Sequence, residues 1–430
     1  MVEYYTMSLP LTPTWRQRLC RSPAVWLAGL GVVLLVRFPV KFLLQPPFLM
    51  DFDLFHTIAL RILQGDAVHL YEPAGSPQSL FKYAPSWALL IAPFGWVSGH
   101  AGAVLWSSLT VIWLLLTCWI ADRLCRLIGL TPKPFLAVAA VLLLVRPLIS
   151  EFTLGQTNLL WGMLVAGFLF FEVTRRPWWA AICLALAISL KLPAALFVVY
   201  LALRRSWKLV SQVILCGAAI NGVAALVLLP PHPTLLFSSW LRVLMISGPD
   251  RAFEIGSQSL LALLGRLLRN DGYGLNLLVV PDSTVVLLAL LGQAVLFGAL
   301  FFPRRLALPD TTRTVVDGAL LAVLMALFSP TCWMATYNAS LFSVFLAVAL
   351  FTARPQTTLR SLSLAVGAAA VVLCSLLTHA KVWHALGVRA FKGESYVYLV
   401  LMILPLLGLS VTWYLWHQRL AIAHQSPMRL

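Results

Sequence analysis

Residues 175–205 read RRPWWAAICLALAISLKLPAALFVVYLALRR. Two arginine pairs, Arg175-Arg176 and Arg204-Arg205, bracket an apolar run whose one charge is Lys191. A run this oily belongs in a bilayer, where about 20 such residues cross as one helix. A single crossing would leave one arginine pair on the outer face, against the tendency of Lys and Arg to stay cytoplasmic. Pro193 removes a backbone donor and disfavours helix at Leu192. The stretch therefore predicts two short helices that meet at Lys191 and return the chain to the side it came from.

The whole chain demands the same solvent. Of its 430 residues 60% are apolar and 11% charged, with a mean hydropathy of +0.89, whereas an ordinary soluble domain is about 45–50% apolar and about 25% charged. No polar stretch is long enough to fold alone, so 1–430 reads as one membrane domain. Apolar runs at 24–44, 101–121, 134–150, 156–174, 208–229, 284–302, 314–329, 335–352, 361–378 and 396–416 join the pair inside 178–203. Together they predict an all-α polytopic bundle of twelve membrane helices with both termini cytoplasmic. Ala24 to Val36, behind Arg16, Arg18 and Arg21, has the length of a signal-peptide core, but Arg37 and Lys41 follow it without a small-residue cleavage site, and it reads as an uncleaved anchor.

The net charge of +16 comes from short clusters between apolar runs, not from one basic face. Such clusters orient a membrane protein and give no support to nucleic-acid binding. More than half of the 31 Lys and Arg residues fall on the cytoplasmic side of this topology. Two thirds of the 15 acids, among them Asp51, Asp53, Glu151 and Glu254, fall outside. The cysteines are scattered without a CxxC pair and read as small core residues. The long connections are also outer ones. Residues 45–100 form a first extracytoplasmic loop, with a helical stretch at 52–63 and an interfacial piece at 86–97. Residues 230–283 form a second long extracytoplasmic loop. Long ordered loops over a rigid scaffold are where function tends to sit.

Polar residues at the outer ends of these spans are the candidate site. Asp51 and Asp53 follow the first span, where a carboxylate is costly to bury and functional by default. A nucleotide-sugar site built on this DxD would need an attached α/β domain and cytoplasmic exposure, and the chain offers neither. Gly155-Gln156-Thr157-Asn158 opens a span with amides that need partners in lipid. Lysine at a helix centre costs about 2.5–3.5 kcal/mol on insertion scales; at the tip of a broken pair, Lys191 is placed to meet an anionic ligand. Lys82 and Tyr83, Gln258 and Ser259, and Ser329-Pro330 with Trp333 complete a set of patches that all map to one face. The eight His residues show no ligand spacing, and HExxH, GxSxG, P-loop and GxGxxG motifs are absent.

Taken in chain order, the patches resemble glycosyltransferase family 87. The matching residues are Asp51-Phe52 with Phe55, Gly65, Tyr71-Glu72-Pro73, Tyr83 with Pro85, Gly155-Gln156 with Asn158, Lys191 with Pro193, Gln258-Ser259, and Ser329-Pro330 with Trp333. The family often has proline where this chain has Ala84, and histidines where it has Ala335 and Thr336; donor sugar and acceptor stay open on that account. The resemblance implies a GT-C-like bundle in a bacterial inner membrane with its site facing the periplasm. It implies transfer of a hexose, with mannose as the type case, from a polyprenyl-phosphate sugar to a glycolipid or glycan hydroxyl, with inversion and without metal or cofactor. Asp51 would then be the general base. Lys191, with Lys82 or Arg251, would hold the donor phosphate. Asp53, Tyr83, Gln156, Asn158, Gln258, Ser259 and Trp333 would hold sugar and acceptor. The rival readings are a lipid-linked glycan flippase or small-solute transporter, which broken helices also suit, and a glycan polymerase or ligase using lipid diphosphate donors.

The topology has a direct test. A cysteine placed beside Asp51 or Glu254 should react with an impermeant thiol reagent added outside intact cells, and one beside Arg176 or Arg304 should not. Equal labelling of both pairs would overturn the arrangement.

Overall fold

The computed structural model describes residues 22–74, 79–254, 256–270, 276–301 and 309–352, without the side chains of 248–251 and 351. The expected spans 361–378 and 396–416 lie outside the described residues. Every regular element among those residues is helical. Four helices are long and apolar enough to cross a bilayer: α1 (Pro23–Leu44), α4 (Gly99–Leu127), α10 (Trp207–Leu228) and α13 (Asp282–Phe301). Between α1 and α4 lie α2 (Met50–Leu63) and α3 (Pro85–Ile91). The remaining elements are α5 (Leu136–Leu143), α6 (Val145–Leu154), α7 (Asn158–Val173), α8 (Pro177–Leu190), α9 (Leu192–Leu203), α11 (Pro233–Ala252), α12 (Leu260–Leu268), α14 (Asp310–Leu327) and α15 (Leu341–Thr352). A 3₁₀ segment, Met334–Ser340, leads into α15. The described residues form an all-helical fold, and the spans of crossing length make this an integral membrane protein.

Two sequence expectations change here. The run 134–150 is not one straight span: α5 and α6 meet at Leu144 with a bend of 73°, and together make a fifth candidate crossing. The bend turns Glu151, expected in an outer loop, into the bundle at 0% exposure. The 230–283 segment, expected as a loop, is largely the 20-residue α11 and the short α12. The count of twelve crossings is not reached among the described residues. Several apolar runs fold as helices of 10–17 residues, broken by proline or by a tight corner before they reach spanning length.

The break at Lys191 is present. Its backbone is extended (φ −149°, ψ 119°), α8 ends at Leu190, and a 3₁₀ turn over Leu192–Ala195 starts α9. Gly217 of α10 faces Ala185 of α8, and Asn221 donates to the Ser189 hydroxyl at 2.8 Å. Both sequence positions rise together, so α8 and α10 run in the same direction. The intervening α9 must therefore run back, as the paired arginines require. Near its far end Tyr200 donates to Asp317 of α14 at 2.6 Å, and Arg204 donates to Thr314 at 3.0 Å.

At the centre is α7. Gly162 lies so close to the next layer that a Cβ there would sit 2.8 Å from the Cα of Ala339, and Leu169 fills the space over Gly318 of α14. Small residues let backbones approach where no hydrophobic effect drives helices together, and van der Waals packing then holds them. Helix α14 is buried without interruption from Thr314 to Leu327, as a helix surrounded on all sides must be. Ser343 donates across to the Ala319 carbonyl at 2.7 Å. The periphery is the reverse: Leu287, Leu290, Leu291 and Val295 of α13 all face outward. That apolar exposure suits lipid.

These contacts define two ends. Asn158 starts α7 beside Lys191, while Glu172 near its finish lies within electrostatic reach of Arg204, Arg175 and Asp310. Basic residues gather at the second end and the candidate site at the first. Gly162→Ala should lower the thermal midpoint of the purified protein, since the facing atoms are backbone and cannot yield. A cost on the order of 1–3 kcal/mol is expected for overpacking, read by a melting curve in detergent. An unchanged midpoint would show that α7 and the 3₁₀ segment are not in close contact.

Candidate active site

The first end is assembled from six separate parts of the chain. Helix α6 terminates at Gly155, whose left-handed backbone (φ 71°) only glycine adopts without strain. A side chain there would also strike Phe52, with Cβ atoms 2.7 Å apart. The α6–α7 corner is thus seated on the first turn of α2, which carries Asp51 and Asp53. Phe52 and Phe55 anchor that turn in an aromatic cluster with Tyr83, Trp87 and Trp106. An edge-to-face packing of this kind contributes about 0.5–1.5 kcal/mol per pair beyond burial.

The two acids have different surroundings. Asp53 accepts the Leu49 N–H at 3.2 Å, holding the start of α2. Burial raises its carboxyl above the usual range, opposed by that bond and by His56. Asp51 lies close enough to act electrostatically on both Tyr83 and Lys191. Tyr71 donates to the Tyr83 carbonyl at 3.0 Å and Trp240 of α11 donates to the Lys82 carbonyl at 3.0 Å, so the Lys82–Tyr83 strip is held from both sides. The Ala84 N–H donates to the Ser189 carbonyl at 3.1 Å, tying the strip to the last turn of α8.

Lys191 projects from the α8–α9 break. Its ammonium donates to Asn158 Oδ1 at 2.5 Å and lies 5.7 Å from the Trp161 ring centroid. Asn158 in turn donates from Nδ2 to Glu151 Oε2 at 2.9 Å and to Gln156 Oε1 at 2.6 Å. Both ends of the Asn158 amide are therefore engaged inside the protein, and its side chain is fully buried. Glu151 Oε1 accepts the Leu159 N–H at 2.9 Å, and Oε2 also accepts from Asn338 at 3.2 Å. Cys332 and Asp51 lie within electrostatic reach of Lys191 as well.

The α11–α12 connection and the 329–333 turn close the site. Gln258 N–H donates to the Cys332 carbonyl at 2.5 Å, and Tyr337 donates to the Gln258 carbonyl at 2.7 Å. The Gln258 side-chain oxygen is buried and unpartnered, the kind of acceptor that a ligand hydroxyl satisfies. Ser259 caps α12 by accepting the Ala262 N–H at 3.1 Å, and donates to the Pro330 carbonyl at 3.3 Å. The Trp333 ring covers Gly256, where a Cβ would come within 2.1 Å of it. The Arg251 side chain is outside the described residues.

The structure thus unites Asp51, Tyr83, Gln156, Asn158 and Lys191, and joins Gln258, Ser259 and Trp333 through the Cys332 contact. It gives Asp53 and Ser259 capping work. Glu151 and Asn338 were not among the sequence candidates. Glu151 carried one signal, an acid seven residues before Asn158; Asn338, inside an apolar run, carried its unusual amide.

Comparison with known proteins identifies related chains. Residues 81–330 match the model of Glycosyltransferase family 87. The chain is 27% identical over 390 residues to the polyprenol-phosphate-mannose-dependent alpha-(1-2)-phosphatidylinositol mannoside mannosyltransferase of Mycobacterium tuberculosis, covering 85% of this chain and 86% of that one. It is 30% identical over 178 residues to the protein of the same name from Mycolicibacterium smegmatis, covering 37% and 39%. Among solved structures, ArnT from Cupriavidus metallidurans bound to undecaprenyl phosphate aligns with a TM-score of 0.43 at 16% identity, covering 90% of this chain and 76% of that one.

Proposed function

The chain belongs to glycosyltransferase family 87 and is a membrane glycosyltransferase; we propose that it moves a hexose, mannose being the first to test, from a polyprenyl-phosphate sugar to a glycolipid or glycan hydroxyl on the periplasmic face of a bacterial inner membrane. One observation carries the reading: a carboxylate, Asp51, and a cation, Lys191, lie within electrostatic reach of each other beside the buried, linked amides of Asn158 and Gln156. The name of the Mycobacterium tuberculosis relative supports a polyprenol-phosphate-mannose donor and a phosphatidylinositol mannoside acceptor.

In this reading the acceptor O–H gives its proton to Asp51 as its oxygen bonds to the anomeric carbon. The bond from that carbon to the phosphate oxygen breaks, with inversion, and polyprenyl phosphate leaves with the electron pair. Lys191 meets the charge that develops on the phosphate without having to reorganise, because Asn158 and Trp161 already hold it. Lys82, beside Tyr83, and Arg251 are the further phosphate contacts. Gln156 and Gln258 hold sugar hydroxyls and Trp333 is a stacking surface.

The decisive experiment incubates purified protein in lipid with several polyprenyl-phosphate sugars and measures released polyprenyl phosphate. Movement of the intact donor across the bilayer without release would overturn the proposal, as would strict use of diphosphate donors.

Two substitutions assign the roles. Asp51→Asn should lower transfer about 10²–10⁴-fold with donor binding retained, the usual range for a general base; loss with Asp53→Asn instead would move the base. Lys191→Met keeps the apolar stem and removes the charge. Turnover should fall about ten- to hundredfold, since a charge-assisted contact contributes about 1.5–3 kcal/mol, and Lys191→Arg should recover only part. Wild-type turnover in Lys191→Met would remove the lysine from the site.

A further inference from the structure

We infer that Glu151 is a positioning residue that sets Lys191 for the phosphate through the Asn158 amide, an inference that rests on the phosphate role of Lys191 proposed above. Lysine has only donors to offer, so the Asn158 atom facing it must be the carbonyl oxygen. The amide nitrogen is then forced toward Glu151, where Oε2 accepts it at 2.9 Å. The second oxygen of Glu151 takes the Leu159 N–H at 2.9 Å, a donor from the first turn of α7 that Thr157 leaves uncapped. Asn338 clamps the same carboxylate from the opposite side at 3.2 Å, while also donating to the Pro147 carbonyl at 2.8 Å. Three donors on two oxygens leave the carboxylate one orientation, and that orientation fixes the amide.

The carboxylate also supplies negative charge behind the amide, at the end away from Lys191. Glu151 is fully buried while Lys191 is partly exposed, so the lysine stands between the carboxylate and an incoming phosphate. Glu151→Gln replaces one acceptor with an NH₂ group. Whichever way it turns, that group meets a donor: Leu159 N–H on one side, or the Asn158 and Asn338 amides on the other. The relief is for Asn158 to flip, which presents its NH₂ to the ammonium and drives Lys191 from its position.

The test measures binding of polyprenyl phosphate, and of the uncharged polyprenol, to purified protein in nanodiscs. Glu151→Gln should weaken polyprenyl phosphate binding tenfold or more and leave polyprenol binding unchanged. The double variant with Lys191→Met should bind no more weakly than Lys191→Met alone, since contacts on one network are not additive. Equal loss for both lipids, or additive loss in the double variant, would mean that Glu151 merely caps α7, and overturns the inference. Phosphate binding that is unchanged or tighter in Glu151→Gln overturns it too, because the carboxylate would then be inert or repelling the phosphate. If Lys191→Met itself binds the phosphate as wild type does, the phosphate role fails and the inference falls with it; loss in Lys191→Met alone isolates the failure to Glu151. Should Glu151→Gln not fold, Glu151→Asp keeps the charge but retracts it by a methylene, and the same selective, non-additive loss is expected at smaller size.

Discussion

An ammonium group held inside an apolar bundle needs a permanent set of partners, and in this protein the partners of Lys191 determine how α7, α8 and α9 meet. A lysine at the centre of a membrane helix is expensive, and the chain avoids that location by ending the helix there. At the C-terminus of α8 the unpaired carbonyls favour a cation, Asn158 offers an oxygen, and Trp161 offers the face of its ring. Removing any one leaves a partly buried charge under-satisfied, a condition that costs more than the bond itself is worth.

From that constraint the local architecture follows. Pro193 prevents α8 from continuing, so α9 returns beside α14, and Tyr200 and Arg204 find Asp317 and Thr314 there. The corner at Gly155 lets α7 begin close to Lys191, and the absence of a Cβ lets that corner rest on Phe52. Asp51 belongs to the turn that Phe52 anchors, so the glycine contact beside it helps set how carboxylate and cation are placed. The aromatic cluster below makes that turn stiff.

The same geometry explains why some conspicuous polar residues do structural work. Both ends of the Asn158 amide are bonded within the protein, and Ser259 is committed to a helix start and to Pro330. Gln258 differs, because its backbone is pinned by Cys332 and Tyr337 while its side-chain oxygen has no partner. A rigid backbone presenting one open acceptor is a suitable contact for a sugar hydroxyl.

The sequence by itself determined the solvent, the helical class, the break at Lys191 and the family. Each is a local property: hydropathy over about 20 residues, a proline's missing donor, and short motifs in order. It also marked Asp51, Gln156, Lys191 and Trp333, since polar or aromatic residues at span ends stand out against an apolar background. Only the tertiary structure decided that 134–150 bends at Leu144 and buries Glu151, because the bend answers to what packs around it. Likewise, only folding joined Asn338 to Glu151 across 187 positions. Charge pattern read one residue at a time put Glu151 in water. Its three donors come from two other places in the chain, and no local rule states where a carboxylate's partners will arrive from.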